Sequence, residues 1–562
     1  MNPTLLNLST DAATWLRRAA FILAIATVLA AAAARHYGWL DYRPGGAAFT
    51  GPVRLVFLGV FIVGSVIAIR WEIVGGIIAF FSAAALIAFA YKQLEPTHAT
   101  VVVAALAVPG LLWVIVDLND QPTPKALLGI AAAVVAVGLG LYTGSTVYNS
   151  IWGPTHPESS VTELPESPTM WMWSGSVTTS GGEVRVKADR PSSSIELVVA
   201  PTADLDNAET LRPISVSNDV AIFQITNRDA EQQVFYAPRI DGKTDEERIG
   251  SFRTFPNADA TFTVTVGACA RVGSNGAVFD AIARHDPLLH LVIGDLHYGD
   301  IPDNDFARYA DVLDYTLTRP AQAALYQHTP IAYVWDDHDY GANDSNAGSP
   351  SRIAAMEAYR TYVPSYELAG PDEPVYQAFS IGRVRFILTD ARAGRLLGSD
   401  MWGPAQSQWF ANELTQSADT HAAVVWVNPV PWIAEASDGA DHWGGYAQQR
   451  TEIADLIASH SIDNLIMVAG DAHMVAIDDG TNTDYSTTGE ASFPLIHVAA
   501  LDRPGGTKGG PYSEGTFPGG GQYATISITD RGDDILIDLT GHTWDGETLT
   551  TLAVHFDVDP AT

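Results

Sequence analysis

The sequence predicts a multidomain chain: an α-helical transmembrane region, a small antiparallel β-sandwich, and an α/β domain that carries the chemistry. Three observations lead there. Five long apolar runs fall within the first 150 residues, and short alternating strands follow from Pro168 to Pro256. Beyond residue 260, apolar strand-like runs repeatedly end in a polar residue suited to metal or phosphate. At 562 residues the chain exceeds one ordinary domain. Its boundaries are read as a five-span region over 13–148, a linker over 149–167, the sandwich over 168–256 and the α/β domain over 257–562.

The apolar runs are Ala19–Ala34, Leu55–Ile69, Ile73–Ala90, Val101–Val116 and Ala126–Tyr142. None holds a charged residue, and each reaches spanning length by borrowing flanks such as Trp15, Tyr37, Trp71, Tyr91 and Tyr148. The lack of intramembrane charge argues for an anchor over a transporter or proton relay. Arg17 and Arg18 favour a cytoplasmic N-terminus, although with them counted the basic residues tie: Arg17, Arg18, Arg70 and Lys125 on one side against Arg35, Arg43, Arg54 and Lys92 on the other. The stretch Ala126–Val184 lacks Lys and Arg, so the bulk that follows an odd number of spans is expected outside the cytoplasm, on a multi-pass cell-membrane protein.

Charge is distributed unevenly. Residues 1–150 hold 8 basic and 6 acidic side chains, whereas the remaining 412 hold 23 and 58. So acidic a surface repels phosphate backbones and excludes a nucleic-acid-binding face. A hydrophobic content of 47% excludes wholesale disorder. The single cysteine, Cys269, rules out an intramolecular disulfide and a Cys-rich zinc site.

The linker IWGPTHPESSVTELPES is rich in Pro and Ser. In the sandwich region VTTSGGEVRVKA alternates about a Gly-Gly turn, and SSSIELVVAP, DVAIFQITN, QQVFYAPRIDG and GSFRTF follow. FYAPRIDG followed by SFRTF resembles a fibronectin-type-III module. In the α/β domain, TFTVTV leads to Cys269 and LLHLVIG to Asp295. IAYVW leads to Asp336, Asp337 and His338, VRFILT to Asp390, AAVVWV to Asn428, and NLIMVAG to Asp471 and His473. Ser407–Ser417 and Gln448–Ser459 have helical spacing. One such Asp is ordinarily a helix cap. A succession of them converging at one sheet edge would be mutually repulsive without cations, which points to a polynuclear metal site.

These residues reach a family. GDLHY at 294–298 resembles the Gly-Asp-x-x-Tyr block of the calcineurin-like metallophosphoesterases, and the whole set is similar to their PhoD-like alkaline phosphatase and phosphodiesterase branch. GACAR sets Cys269 where most metallophosphoesterases carry Asp-x-His. WDDHDYGAND stands in place of Gly-Asn-His-Asp/Glu, and AGDAH in place of Gly-His-x-His. TDARAGR and MWGPAQSQWFANEL resemble further segments of the branch, and the likeness runs over about 168–560. It implies an αββα sandwich and a mixed centre of Fe(III) and calcium, other divalent metals being possible occupants. Cys269, Tyr298 and His473 would hold the ferric ion, Asp295 would bridge, and Asn343 and Asp471 would bind calcium. Asp337 is the alternative to Asn343, because the Asn of other members often stands one residue closer. Ligand softness agrees: thiolate and imidazole suit a transition metal, carboxylate and amide oxygens suit calcium.

Considered singly, Cys269 is a small hydrophobe, Tyr298 a core aromatic and His338 a structural hydrogen-bonder. The expected activity is hydrolysis of phosphomonoesters or phosphodiesters, small-molecule or lipid-headgroup, by metal-bound hydroxide. His338, oriented by Asp337, is the expected general acid or phosphate donor. Arg392 either binds a non-bridging oxygen or forms a structural ion pair. Trp443 and Tyr446 of DHWGGYAQQR are expected to wall the pocket. Two other readings stand beside this one: a catalytically inactive surface binding module, and a membrane-embedded sensor or transporter with an external domain.

Overall fold

The computed structural model describes residues 8–37, 46–90, 96–120, 123–152, 156–191 and 193–558. Tyr91, Arg43, Lys92 and the linker positions 153–155 lie outside them. The chain divides into two compact units, Met1–Trp152 and Gly153–Thr562.

The first unit holds the helices Thr10–Tyr37, Gly46–Ile67, Glu72–Ala90, Pro96–Asp120 and Thr123–Trp152, one for each apolar run. Among the described residues, three stretches are long and apolar enough to cross a membrane: Thr10–Leu29, Glu72–Phe89 and Thr123–Ser150. Leu55–Ile67 and Leu106–Asn119 are shorter apolar helices. Small residues let these helices pack closely: a Cβ on Gly144 would lie 2.1 Å from the Ala85 carbonyl oxygen. Arg17 pairs with Glu72 at 2.5 Å, and Ile22, Leu29, Val66, Leu128 and Val134 are exposed on the unit's surface.

The second unit is built on strands whose side chains are buried along their whole length. Leu289–Ile293 and Ile331–Val334 are examples, which is why they read as continuous apolar runs. Among the described residues, a ten-stranded sheet begins with Thr548–Asp557, Asp534–His542 and Tyr523–Asp530. It continues through Thr261–Gly267, Leu289–Ile293 and Ile331–Val334 to Thr169–Thr178, Gly181–Ala188, Val220–Ile225 and Ser215–Ser217. A seven-stranded sheet runs Gln377–Ile381, Val384–Leu388, Ala423–Asn428, Leu465–Ala469, Leu495–His497, Met474–Asp478, Thr516–Pro518. The expected helical segments lie within Pro404–Thr420 and Ala447–Ser459.

The strands expected over 168–256 are present, and their antiparallel pairing includes the Thr178–Gly181 turn and the Tyr236–Gly250 register of FYAPRI against GSFR. Among the described residues, Ile195–Ala200, Glu209–Leu211, Gln233–Ile240, Lys243–Thr244 and Gly250–Arg253 form a five-stranded sheet of their own, but the other strands do not. Thr169–Thr178 pairs in parallel with Ile331–Val334, Gly175 opposite Ile331, so the first sheet of this region is continuous with the sheet that carries Asp295. The linker is also tied down. Ser159 N–H donates to the Asn275 carbonyl at 2.9 Å, and Ser160 N–H donates to Asp280 at 2.7 Å.

Candidate metal centre

Register aligns the strand ends. Parallel pairing sets Gly267 opposite Val292 and Ile293 opposite Val334 in one sheet, and Leu388 opposite Val427 and Asn428 opposite Ala469 in the other. Cys269, Asp295 and Asp336 therefore leave one sheet edge together, and Asp471 leaves the corresponding edge of the second. Two glycines let those edges meet. Gly294 has φ +101°, and a Cβ there would stand 2.5 Å from the Asp336 Cβ. A Cβ on Gly470 would stand 2.8 Å from the Ile293 carbonyl oxygen. The residues at or next to these turns share a further feature. Cys269, Asp295 and Asp471 all adopt left-handed backbone, with φ of 57°, 51° and 73°. Non-glycine residues pay for that conformation with strain, which concentrates at functional sites.

On one side, the Tyr298 hydroxyl lies 3.0 Å from His473 Nε2, with Cys269 and Asp295 beside it. The Cys269 thiol donates to the Asp471 carbonyl oxygen at 3.7 Å. His473 Nδ1 donates to the Pro504 carbonyl at 2.8 Å, which fixes the tautomer and leaves Nε2 as the lone-pair nitrogen facing Tyr298. Burial, assisted by Arg503, holds His473 near pKa 4. Burial and the neighbouring carboxylates push the Cys269 thiol and the Tyr298 hydroxyl well above their ordinary ranges. Neither would ionise here without a cation to stabilise the anion.

On the other side, three groups each lie within ligand distance of one another: Asp295–Asp337–His338, Asp336–Asp337–Asp471 and Asp337–Asp344–Asp441. Asp337 belongs to all three. Burial raises Asp295 and Asp471 to about 7. Asp295 Oδ1, Asp336 Oδ2 and Asp337 Oδ1 are buried with no hydrogen-bond donor among the described residues. So many buried carboxylate oxygens without donors fit cation coordination, and the donor set divides into soft (Cys269, His473, Tyr298) and hard (Asp) halves. Asn428 is fully buried at the end of its strand, and its Oδ1 also lacks a donor.

Asn343 sits differently from its expected role. It is exposed on the loop after Asp337–Tyr340, and its neighbour Asp344 joins the carboxylate groups, its own N–H donating to Asp337 at 2.6 Å. His338 Nδ1–H donates its orienting hydrogen bond to Asp300, at 2.6 Å, rather than to the expected acceptor Asp337. Burial alone would lower His338, but Asp337, Asp295 and Asp300 outweigh it and raise the imidazole to about 10. Arg392, fully buried, is committed to carboxylates: Nε pairs with Asp336, and its two terminal nitrogens reach Asp441 at 2.8 and 3.1 Å. Of its two expected roles, these contacts describe the structural ion pair. Asp390 does not join the cluster either. Its oxygens accept the Arg392, Ala393 and Val375 N–H groups at 2.8–2.9 Å and so hold the following loop.

The aromatic pocket wall is a correction. Trp443 and Tyr446 are buried in the hydrophobic core with Trp402, Trp426 and Trp432, Trp443 lying 5.0 Å from Trp402 ring to ring. The residue of that segment that reaches the site is Asp441, which bonds Arg392, Arg395 and Lys508. Burial opposes its ionisation, but the three cations win and hold it well below the usual carboxylate range. Asp300, Asp339, Asp441 and Lys508 were not singled out by the sequence. Asp339 accepts the His297 N–H at 3.0 Å and the Asp336 N–H at 3.1 Å, and so pins one strand end to the next.

Two sheets whose carboxyl ends converge on a cluster of Asp, His, Tyr and Cys define the class as an α/β metallophosphoesterase fold. A solved PhoD structure shares it with a TM-score of 0.57 at 15% identity, covering 73% of this chain and 92% of that one. A purple acid phosphatase from yellow lupin (Lupinus luteus) seeds does so at 0.52 and 12%, covering 69% and 74%. Within this class the chain matches one family: residues 264–497 fit the model described as PhoD-like phosphatase. Alkaline phosphatase D of Bacillus subtilis (strain 168) is 26% identical over a 219-residue alignment that covers 33% of this chain. The match spans 37% of the length of that relative. Together these similarities relate the chain to the PhoD-like phosphatases.

Proposed function

We propose that the protein is a membrane-anchored, metal-dependent phosphate-ester hydrolase acting on phosphomonoesters, phosphodiesters or both. The observation that carries the proposal is the set of donorless buried oxygens on Asp295, Asp336 and Asp337 beside the Cys269–Tyr298–His473 group. Cys269, Tyr298 and His473 would hold a ferric ion, and Asp295 would bridge. Asp471 and Asp337, with Asp344 or Asn343, would hold a harder, calcium-like ion. When bound, the ions supply an ionisable water and neutralise the phosphoryl oxygens.

The chain's own residues do the rest. Arg392 and Asp441 hold the Asp336–Asp337 carboxylates in place. Asp300 fixes His338 through Nδ1, so that Nε2–H is the proton delivered to the leaving oxygen. The acidic surface opposes long-range attraction of anionic esters, so recognition falls to the local positive charge of the loaded site.

Five apolar helices would anchor the chain as a multi-pass membrane protein. Three of them already meet the length and hydropathy needed for a span, and the exposed aliphatic surface of the first unit suits lipid. The absence of Lys and Arg between Ala126 and Val184 favours an extracytoplasmic catalytic unit. Fibronectin-III-like character for 168–256 rests on the FYAPRIDG and SFRTF strands.

The test uses the full chain in detergent with p-nitrophenyl phosphate, its bis-ester and a phospholipid. Turnover of at least one ester is expected, abolished by a calcium-selective chelator and restored by calcium with iron retained throughout. No turnover after supply of iron and calcium would leave only a binding or sensor role. Protease added to intact cells should degrade the catalytic unit, and full protection until lysis would reverse the orientation.

A further inference from the structure

Besides His338, the cationic side chains around the carboxylate cluster among the described residues are Arg392, Arg395, Arg503 and Lys508. The arginines are buried, Arg392 and Arg395 fully, while a third of the Lys508 side chain is exposed. Its ammonium pairs with Asp471 and lies 3.3 Å from Asp441. Asp441 does not depend on it, because Arg392 and Arg395 already neutralise that carboxylate. Asp471 has no other cationic partner within ion-pair distance among the described residues.

Lys508 sits in the segment GGTKGG, with Gly505 and Gly506 before it and Gly509 and Gly510 after it. The segment is pinned on both sides. Gly506 N–H donates to the His473 carbonyl at 2.9 Å, and Gly510 N–H donates to the Ile433 carbonyl at 2.8 Å. The backbone therefore keeps Lys508 at the site, while the four-carbon stem leaves its ammonium free to change partner.

An ammonium and a divalent cation cannot both neutralise the Asp471 carboxylate, since they would repel one another at contact distance. We propose that Lys508 is a substrate-binding residue: a cation on Asp471 displaces its ammonium, which then pairs with a non-bridging oxygen of the phosphate ester. This rests on the reading of Asp471 as a cation ligand. Lys508 would thus suppress cation binding and promote phosphate binding, a pair of opposite effects that a structural brace would not produce.

The experiment is calorimetry on the full-length protein in detergent, with calcium and then with inorganic phosphate at saturating calcium. Lys508→Met is expected to bind calcium about fivefold more tightly, through loss of a competing charge. It should bind phosphate about tenfold more weakly, through loss of a charged hydrogen bond. Lys508→Arg should keep phosphate affinity within about threefold of the parent. Unchanged phosphate affinity in Lys508→Met, or calcium affinity that falls, would overturn the proposal. Near-ultraviolet circular dichroism checks folding, and Lys508→Gln replaces Lys508→Met if the latter is unfolded. Failure of the unmodified protein to bind calcium would instead refute the cation-site reading on which the proposal rests, so the two failures are distinct.

Discussion

Replacing Asp441 by Asn tests whether one carboxylate organises the site's arginines. Asp441 receives two bonds from Arg392, at 2.8 and 3.1 Å, and pairs with Arg395 and Lys508. Its side chain is only 12% exposed, so the pairs with the two buried arginines count as buried ones. Removing one partner of a buried pair costs about 3–5 kcal/mol, chiefly because the other charge is left uncompensated. Arg392 keeps Asp336, whereas Arg395 is left without a carboxylate among the described residues, keeping the Ala391 carbonyl through Nε at 2.8 Å and the face of the Tyr446 ring. The low end, about 3 kcal/mol, is therefore expected, with little added by the part-exposed Lys508. Urea unfolding of the full chain in detergent measures it without screening the charges. The buried Trp402, Trp426, Trp432 and Trp443 cluster supplies the fluorescence signal. Adding Arg395→Met should cost less than the sum of the two single changes. A loss below about 1 kcal/mol, or strict additivity, would refute the claim that Asp441 holds these charges.

Cys269→Ser should lose bound iron and most turnover, and alkylation of Cys269 in the parent should be slow until a chelator is added; normal iron content in the variant would return Cys269 to the core. Tyr298→Phe should abolish any visible phenolate–iron band while leaving the fold intact, as followed by absorbance. Gly470→Ala should destabilise by about 1–3 kcal/mol in urea, because its Cβ would press on the Ile293 and Pro429 carbonyls at 2.8 and 2.9 Å; a neutral effect would show that the strand ends separate freely. Asp300→Asn should lower kcat about a hundredfold with KM within about twofold, as for a residue that positions a proton donor, and an unchanged kcat would remove His338 from that role.

The candidate centre was legible where chemistry coincided with strand ends. Cys269, Asp295, Asp337 and Asp471 all follow apolar runs, and a run long enough to be a buried strand fixes where its carboxyl end falls. Asp300, Asp441 and Lys508 follow no such run. They lie on loops that only the closed fold brings to the cluster, and no local periodicity marks them. Asp390 shows the converse: it ends a strand as expected, yet nearby backbone N–H groups take its oxygens. Trp443 and Tyr446 misled for a related reason, since an aromatic pair in a Gly-rich segment carries no sign of which way it faces. The pairing of Gly175 with Ile331 was equally invisible, being set by contacts between segments 156 positions apart.

That pairing has an evolutionary corollary. Modules that recombine freely tend to meet at seams, where a cut leaves each side's hydrogen bonding intact. Here a cut near Pro256 would strip Ile331–Val334 of its neighbour and convert it into a bare sheet margin, open to pairing with another molecule. The same strand leads directly to Asp336 and Asp337. The leading strands of the second unit are thus expected to be inherited with the catalytic strands as one piece, and insertions or domain exchanges should be tolerated before His156 far better than near Pro256.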